Sequence, residues 1–99
     1  MFASVPAHAA ESYDVPPEFW YRPRSGEAVL AQPAIRQAVN ALAHAPRLSL
    51  VIHHGADAET QLWAAELRGW LGALALDAAR IRLVADAPGG EQISLEVRE

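Results

Sequence analysis

The side chains with the most chemical promise are His53, His54 and Asp57, three ionisable groups in one short stretch. They follow a β-rich run and precede a helical period. That puts them where a strand's carboxyl end meets a helix N-terminus, the usual place for ligands in α/β sheets. Imidazole titrates near neutral pH and ligates metals, and a carboxylate could complete a three-ligand set. Adjacent residues of a strand point to opposite faces, however, so both rings reach one ion only if the turn rotates one of them. The plainer alternative is that the histidines close a strand and Asp57 caps a helix. Other chemistry has no candidate. There is no cysteine, and Ser25, Ser49 and Ser94 sit in no nucleophile pattern. Gly89-Gly90 lacks the preceding strand and following helix of a phosphate loop. No residue pattern asks for a cofactor, and the chain does not read as an enzyme.

The elements that must position these groups follow from periodicity. Leu48, Leu50 and Ile52 alternate with Ser49, Val51 and His53, which predicts a strand, and the apolar Val51 on its second face suits an inner strand. His54-Gly55-Ala56-Asp57 is the turn, with Asp57 as N-cap. A helix over Ala58 to Leu76 presents Trp63, Leu67, Trp70, Leu71 and Leu74 on one face. Gly69 and Gly72 cost about 1 kcal/mol each inside a helix, so a close approach by a neighbour is expected there. Glu59, Glu66 and Arg68 are expected in water. Asp77 to Arg80 turns the chain into a strand of Ile81, Leu83 and Ala85. Pro33 opens an earlier helix ending at His44, with Ile35, Ala38, Val39 and Leu42 as its stripe. Glu27 to Leu30 is either a short strand or the entry to that helix. Ile93, Leu95 and Val97 alternate with polar residues in a last strand. After the turn cluster Ala87 to Glu91, that strand is expected to pair antiparallel with the one before it, leaving Arg82, Gln92, Ser94, Glu96 and Arg98 as a solvated face. The two strands flanking the long helix should be parallel.

Residues 1–17 carry three prolines and no period, which predicts a flexible or extended tail ahead of one α/β domain over 18–99. Ala7 and Ala9 stand in an A-x-A arrangement like the end of a secretory signal, so 1–9 is a candidate signal-peptide remnant. Phe19, Trp20 and Tyr21, followed by Arg22 and Arg24, concentrate aromatic and cationic surface. Such rings either fold back over the domain edge or form a strip for docking a partner. The net charge of −4 with no basic run argues against nucleic acid, and no apolar stretch approaches the length of a bilayer span.

The order of elements and two local words give a resemblance. Ile52-His53-His54-Gly55 and Leu71-Gly72-Ala73-Leu74-Ala75-Leu76-Asp77-Ala78-Ala79-Arg80-Ile81 resemble the strand-end and helix-to-strand words of the OmpA-like family, the C-terminal domain of outer-membrane protein A, over roughly 27–97. The resemblance implies a two-layer α/β (α+β) sandwich in βαβαββ order, with two helices on one face of a mixed sheet of three to four strands. It also implies a periplasmic or envelope setting in a Gram-negative bacterium. In that family an Asp after the strand and an Arg on the helix grip the diaminopimelate of peptidoglycan. Aligned on Asp77 to Ile81, Trp63 stands where that Arg belongs, and Arg68 lies on another helical face. The expectation is therefore a non-catalytic interaction module, divergent within the family, that binds another envelope protein or the cell wall. The alternative is a small-ligand or metal-binding protein built on His53, His54 and Asp57.

Overall fold

Each strand carries one row of apolar side chains, and those rows set the layering. The computed structural model describes residues 11–86 and 92–99. Four strands, β1 (Glu11–Val15), β2 (Ser49–His53), β3 (Ile81–Val84) and β4 (Ile93–Arg98), form one sheet in the order β1-β4-β2-β3. β4 runs antiparallel to both of its neighbours, and β2 and β3 are parallel. Val15, Leu50, Ile52, Ile81, Ile93, Leu95 and Val97 are buried in one core with residues of α1 (Gly26–Ala31), α2 (Pro33–His44) and α3 (Ala58–Ala73). The helices thus cover one face of the sheet, giving the expected two-layer α/β sandwich.

α2 forms where expected and for the expected reasons. Pro33 occupies its first turn, and the Gln32 side-chain oxygen accepts from the backbone N–H of Ala34 at 2.7 Å. Ile35, Ala38 and Leu42 turn inward. Its carboxyl end is tied down by Arg80, whose Nη2 donates to the carbonyls of Leu42 and Ala45, each at 2.9 Å, and of Leu48 at 2.8 Å. Its Nε also donates to Leu48, at 3.0 Å. Cation-to-carbonyl bonds of this kind contribute about 1.5–3 kcal/mol each before non-additivity, so Arg80 pins α2 to the start of β3.

Several expectations are corrected. The last two strands do not pair with each other: β4 lies between β1 and β2, with β2 separating it from β3. The physical reason is burial. Ile93, Leu95 and Val97 are 0%, 1% and 3% exposed, a row that fits the middle of the sheet under the helices, whereas β3 buries only Ile81 and fits an edge. The stretch 1–17 is not wholly outside the domain, since 11–15 pair with β4 and Val15 is fully buried. That edge strand is short and mostly polar, so no clear alternation announced it. Glu27 to Leu30 is helical, inside α1, whose Ser25 hydroxyl caps the N–H of Ala28 at 3.1 Å.

α3 stops at Ala73 rather than Leu76. Ala75 adopts φ 73°, and the N–H groups of Ala75 and Leu76 turn back to the carbonyls of Gly72 and Leu71, each at 3.0 Å. This is a Schellman termination with alanine at the left-handed position usually held by glycine. No neighbour approaches Gly69 or Gly72: a Cβ at either would meet nothing within 4 Å. The A-x-A pair at Ala7 and Ala9 and the turn at Ala87 to Glu91 lie outside the described residues.

Candidate functional site

The turn between β2 and α3 sets His53 apart from His54 and Asp57, the other two residues that the sequence groups with it. His53, the last residue of β2, projects onto the face of the sheet away from the helices, in register with Val84 of β3 and Ser94 of β4. His54 is turned the other way and buried, 7% exposed, with Nδ1 donating to the Gly55 carbonyl at 2.7 Å. Asp57 caps α3: one carboxylate oxygen accepts from the Thr60 N–H at 2.9 Å and the other from its hydroxyl at 2.7 Å. Thr60, fully buried, also accepts from the Gly55 N–H at 3.0 Å, so one side chain ties turn to helix. These two bonds from Thr60, the backbone one foremost, hold the Asp57 carboxyl below its ordinary pKa. His53, His54 and Asp57 therefore do not form one ligand set. The strand alternation decides this, and the turn does not reverse it.

His53 instead joins two acids that sequence reading did not connect to it. Its Nδ1 meets Asp86 Oδ1 at 2.6 Å and its Nε2 meets Glu96 Oε1 at 2.8 Å. Carboxylates only accept, so the ring satisfies both as an imidazolium donating from each nitrogen. Partial burial pulls its pKa down, but the hydrogen bonds and charges of Asp86 and Glu96 outweigh burial and leave it raised. The two acids approach opposite ends of the ring, so the trio does not converge on a point. Among the described residues no group of three His, Cys, Asp or Glu side chains is arranged to hold a metal. In the sequence Glu96 reads as part of a polar face. Its link to His53 depends on β4 lying beside β2, which only the sheet order supplies.

The aromatic and cationic segment divides into structural and exposed parts. Trp20, in a 3-10 turn over Pro17–Tyr21, is 4% exposed and stacks on Trp63 of α3, with ring centroids 5.6 Å apart and planes 7° from parallel. Phe19 meets Trp20 edge-on at 5.0 Å, and the Arg24 guanidinium lies 5.6 Å from the Trp20 ring centre. Arg24 forms a two-pronged pair with Glu66, through Nε to one oxygen and Nη2 to the other at 2.9 Å. Glu66 also accepts from the Trp70 indole at 3.0 Å. Arg24 foremost holds the Glu66 carboxyl below its ordinary pKa. Glu66 is thus not a solvated helix residue, and Trp20 and Arg24 are engaged within the fold, where they weld the segment to α3. Tyr21, at 60% exposure, and Arg22 remain on the surface. Phe19 and Arg22 line a groove of about 460 Å³ against α1.

The sheet face away from the helices carries Ser12, Asp14, Ser49, Val51, His53, Arg82, Ser94, Glu96 and Arg98 by register. The polar face predicted for the last two strands therefore exists, but it spreads across all four strands. No helix of the described residues is long and apolar enough to cross a membrane. Comparison of the chain with protein-family models, with curated proteins and with solved structures found no match.

Proposed function

We propose that this chain is a non-catalytic interaction module of the bacterial cell envelope, a divergent OmpA-like domain that binds another envelope protein or the cell wall through the uncovered face of its sheet. The observation that carries this reading is that whole face. A four-stranded sheet with helices on one side keeps the other side available, and here it bears charged and hydroxyl side chains suited to a polar contact. The groups with chemical promise are meanwhile engaged within the protein: His53 by two acids, His54 by a carbonyl and Asp57 by Thr60. In the proposed alignment the family's ligand-gripping cation is replaced by Trp63, whose ring is spent on the stack with Trp20. Contact through a different surface follows from that loss.

The test is photo-crosslinking in intact bacterial cells from a benzophenone side chain placed at Ser12 or Ser94 on the open face, or at Gln37 on the outside of α2. Co-sedimentation of the chain with purified peptidoglycan sacculi accompanies it. A discrete adduct from Ser12 or Ser94 and none from Gln37, or retention on sacculi abolished by charge reversal on the open face, is the expected result. Equal labelling from all three positions together with no retention would overturn the reading.

A further inference from the structure

One end of the open face has a local charge opposite to that of the chain as a whole. A groove of about 400 Å³ there is floored by Val51 and lined by Ser49, Arg80, Arg82, Arg98 and Glu99, in a protein whose net charge is −4. Arg82 and Arg98 are exposed, and neither side chain has a hydrogen-bond or ion-pair partner among the described residues. Arg80 is half-buried and held rigidly by Nε and Nη2 on three backbone carbonyls, none of which cancels its charge; its Nη1 makes no bond to a described residue. The nearby acids are occupied elsewhere. Glu99 pairs with Arg47 at 3.3 Å, and Glu96, two residues from Arg98 on the same face of β4, is taken by His53 at 2.8 Å. Three arginines thus line one groove, and the one acidic side chain among its lining residues, Glu99, is drawn toward Arg47.

From this arrangement we infer that the groove is a binding site for an oxyanion group, a phosphate or carboxylate carried by the module's ligand, gripped by Arg82 and Arg98 with Arg80 as a fixed cation; the Ser49 hydroxyl is engaged on the Arg98 carbonyl at 3.4 Å. A guanidinium presents paired N–H donors in a planar fork that matches two oxygens of such a group. Ser49 stands opposite Arg98 and Val51 opposite Arg82 in the sheet, so the two free arginines flank β2 from either side and reach over the same floor. Arg80 differs from the usual flexible surface arginine, because its tether to α2 and Leu48 fixes its position before any ligand arrives, which lowers the ordering cost of binding.

The inference rests on reading the open face as the binding surface, and its test is independent of the cellular one. The full chain, labelled with nitrogen-15, is titrated with inorganic phosphate and separately with succinate, against sodium chloride at matched ionic strength. Saturable shifts confined to the amides of Ser49, Arg82 and Arg98 and to arginine Nε–H signals are expected with at least one of the two anions, and which anion saturates identifies the ligand group. In the double variant Arg82→Gln, Arg98→Gln, whose side chains bear no structural bonds, the fold should persist and the apparent affinity should fall at least tenfold. Absence of any saturable shift beyond chloride, or shifts that survive in the double variant, would overturn the oxyanion site. The cross-linking result would stand unaffected by either.

Discussion

Removing the Trp20 ring tests whether the aromatic segment is part of the core or a surface for partners. Trp20 is 4% exposed, lies parallel to Trp63 at 5.6 Å, and receives the edge of Phe19 at 5.0 Å and the Arg24 cation at 5.6 Å. Truncation of a buried tryptophan to alanine costs about 3–5 kcal/mol through lost transfer and the cavity left behind. The ring pairing accounts for roughly 0.5–1.5 kcal/mol of that. One feature moderates the loss, since the Trp20 indole N–H is buried with no hydrogen-bond partner among the described residues and an unmade bond of this kind costs about 1–3 kcal/mol. Trp20→Phe removes that burden while keeping an aromatic face, so it should cost about 1 kcal/mol or less. The assay is urea unfolding followed by circular dichroism at low temperature, because a loss of this size is a large share of the roughly 5–15 kcal/mol available to a domain. Trp20→Ala should lower Tm by at least roughly 12 °C in a chain of this length. Leu62→Ala, at a 70% exposed helix position, should stay within about 0.5 kcal/mol of the parent. Trp20→Ala combined with Trp63→Ala should cost less than the sum of the two, because each single change already empties the same stack. A Trp20→Ala protein as stable as Leu62→Ala would refute the core assignment and return the ring to a docking role.

Two further outcomes follow from the site and the helix end. His53 has a folded-state pKa raised above its ordinary value of 6.5, so the stability from its pairing with Asp86 and Glu96 is fully present below the unfolded pKa and is lost as pH rises through the folded one. The stability advantage of the parent over His53→Gln should therefore shrink on raising pH from about 6 to about 9, and the His53 ring protons should titrate with a midpoint above that of a free imidazole; a midpoint at or below it would contradict the two-acid geometry. At the end of α3, Ala75 holds φ 73°, a conformation costing a residue with a Cβ about 1–2 kcal/mol, while glycine loses about 0.5–1 kcal/mol more backbone entropy. Ala75→Gly should raise stability by about 0.5–1 kcal/mol, read as a higher urea midpoint with unchanged slope, and a lower midpoint would show that the strain is not there.

What the sequence determined by itself was local and periodic. Pro33 and the Ile35, Ala38, Leu42 stripe defined α2 to the residue, the alternation about Leu50 and Ile52 defined β2, and Asp57 announced the cap of α3. These signals act within one element, where side-chain direction follows from backbone period alone. The same alternation already warned that His53 and His54 face opposite ways, as they do. The tertiary structure decided everything that depends on which element lies beside which. β4 sits between β1 and β2, where its three buried apolar residues lie in the middle of the sheet under the helices, and that order brings Glu96 to His53 and sets Arg82 and Arg98 on either side of β2. Arg80 reads in the sequence as a turn residue, yet its guanidinium reaches the carbonyls of Leu42 in α2, of Ala45 at its cap and of Leu48, all more than thirty residues away. Glu66 reads as a solvated helix position until Arg24 folds onto it. Long-range pairing leaves no periodic trace in either partner, since each charge is locally compatible with water, and only the packed sheet and helices choose its neighbour.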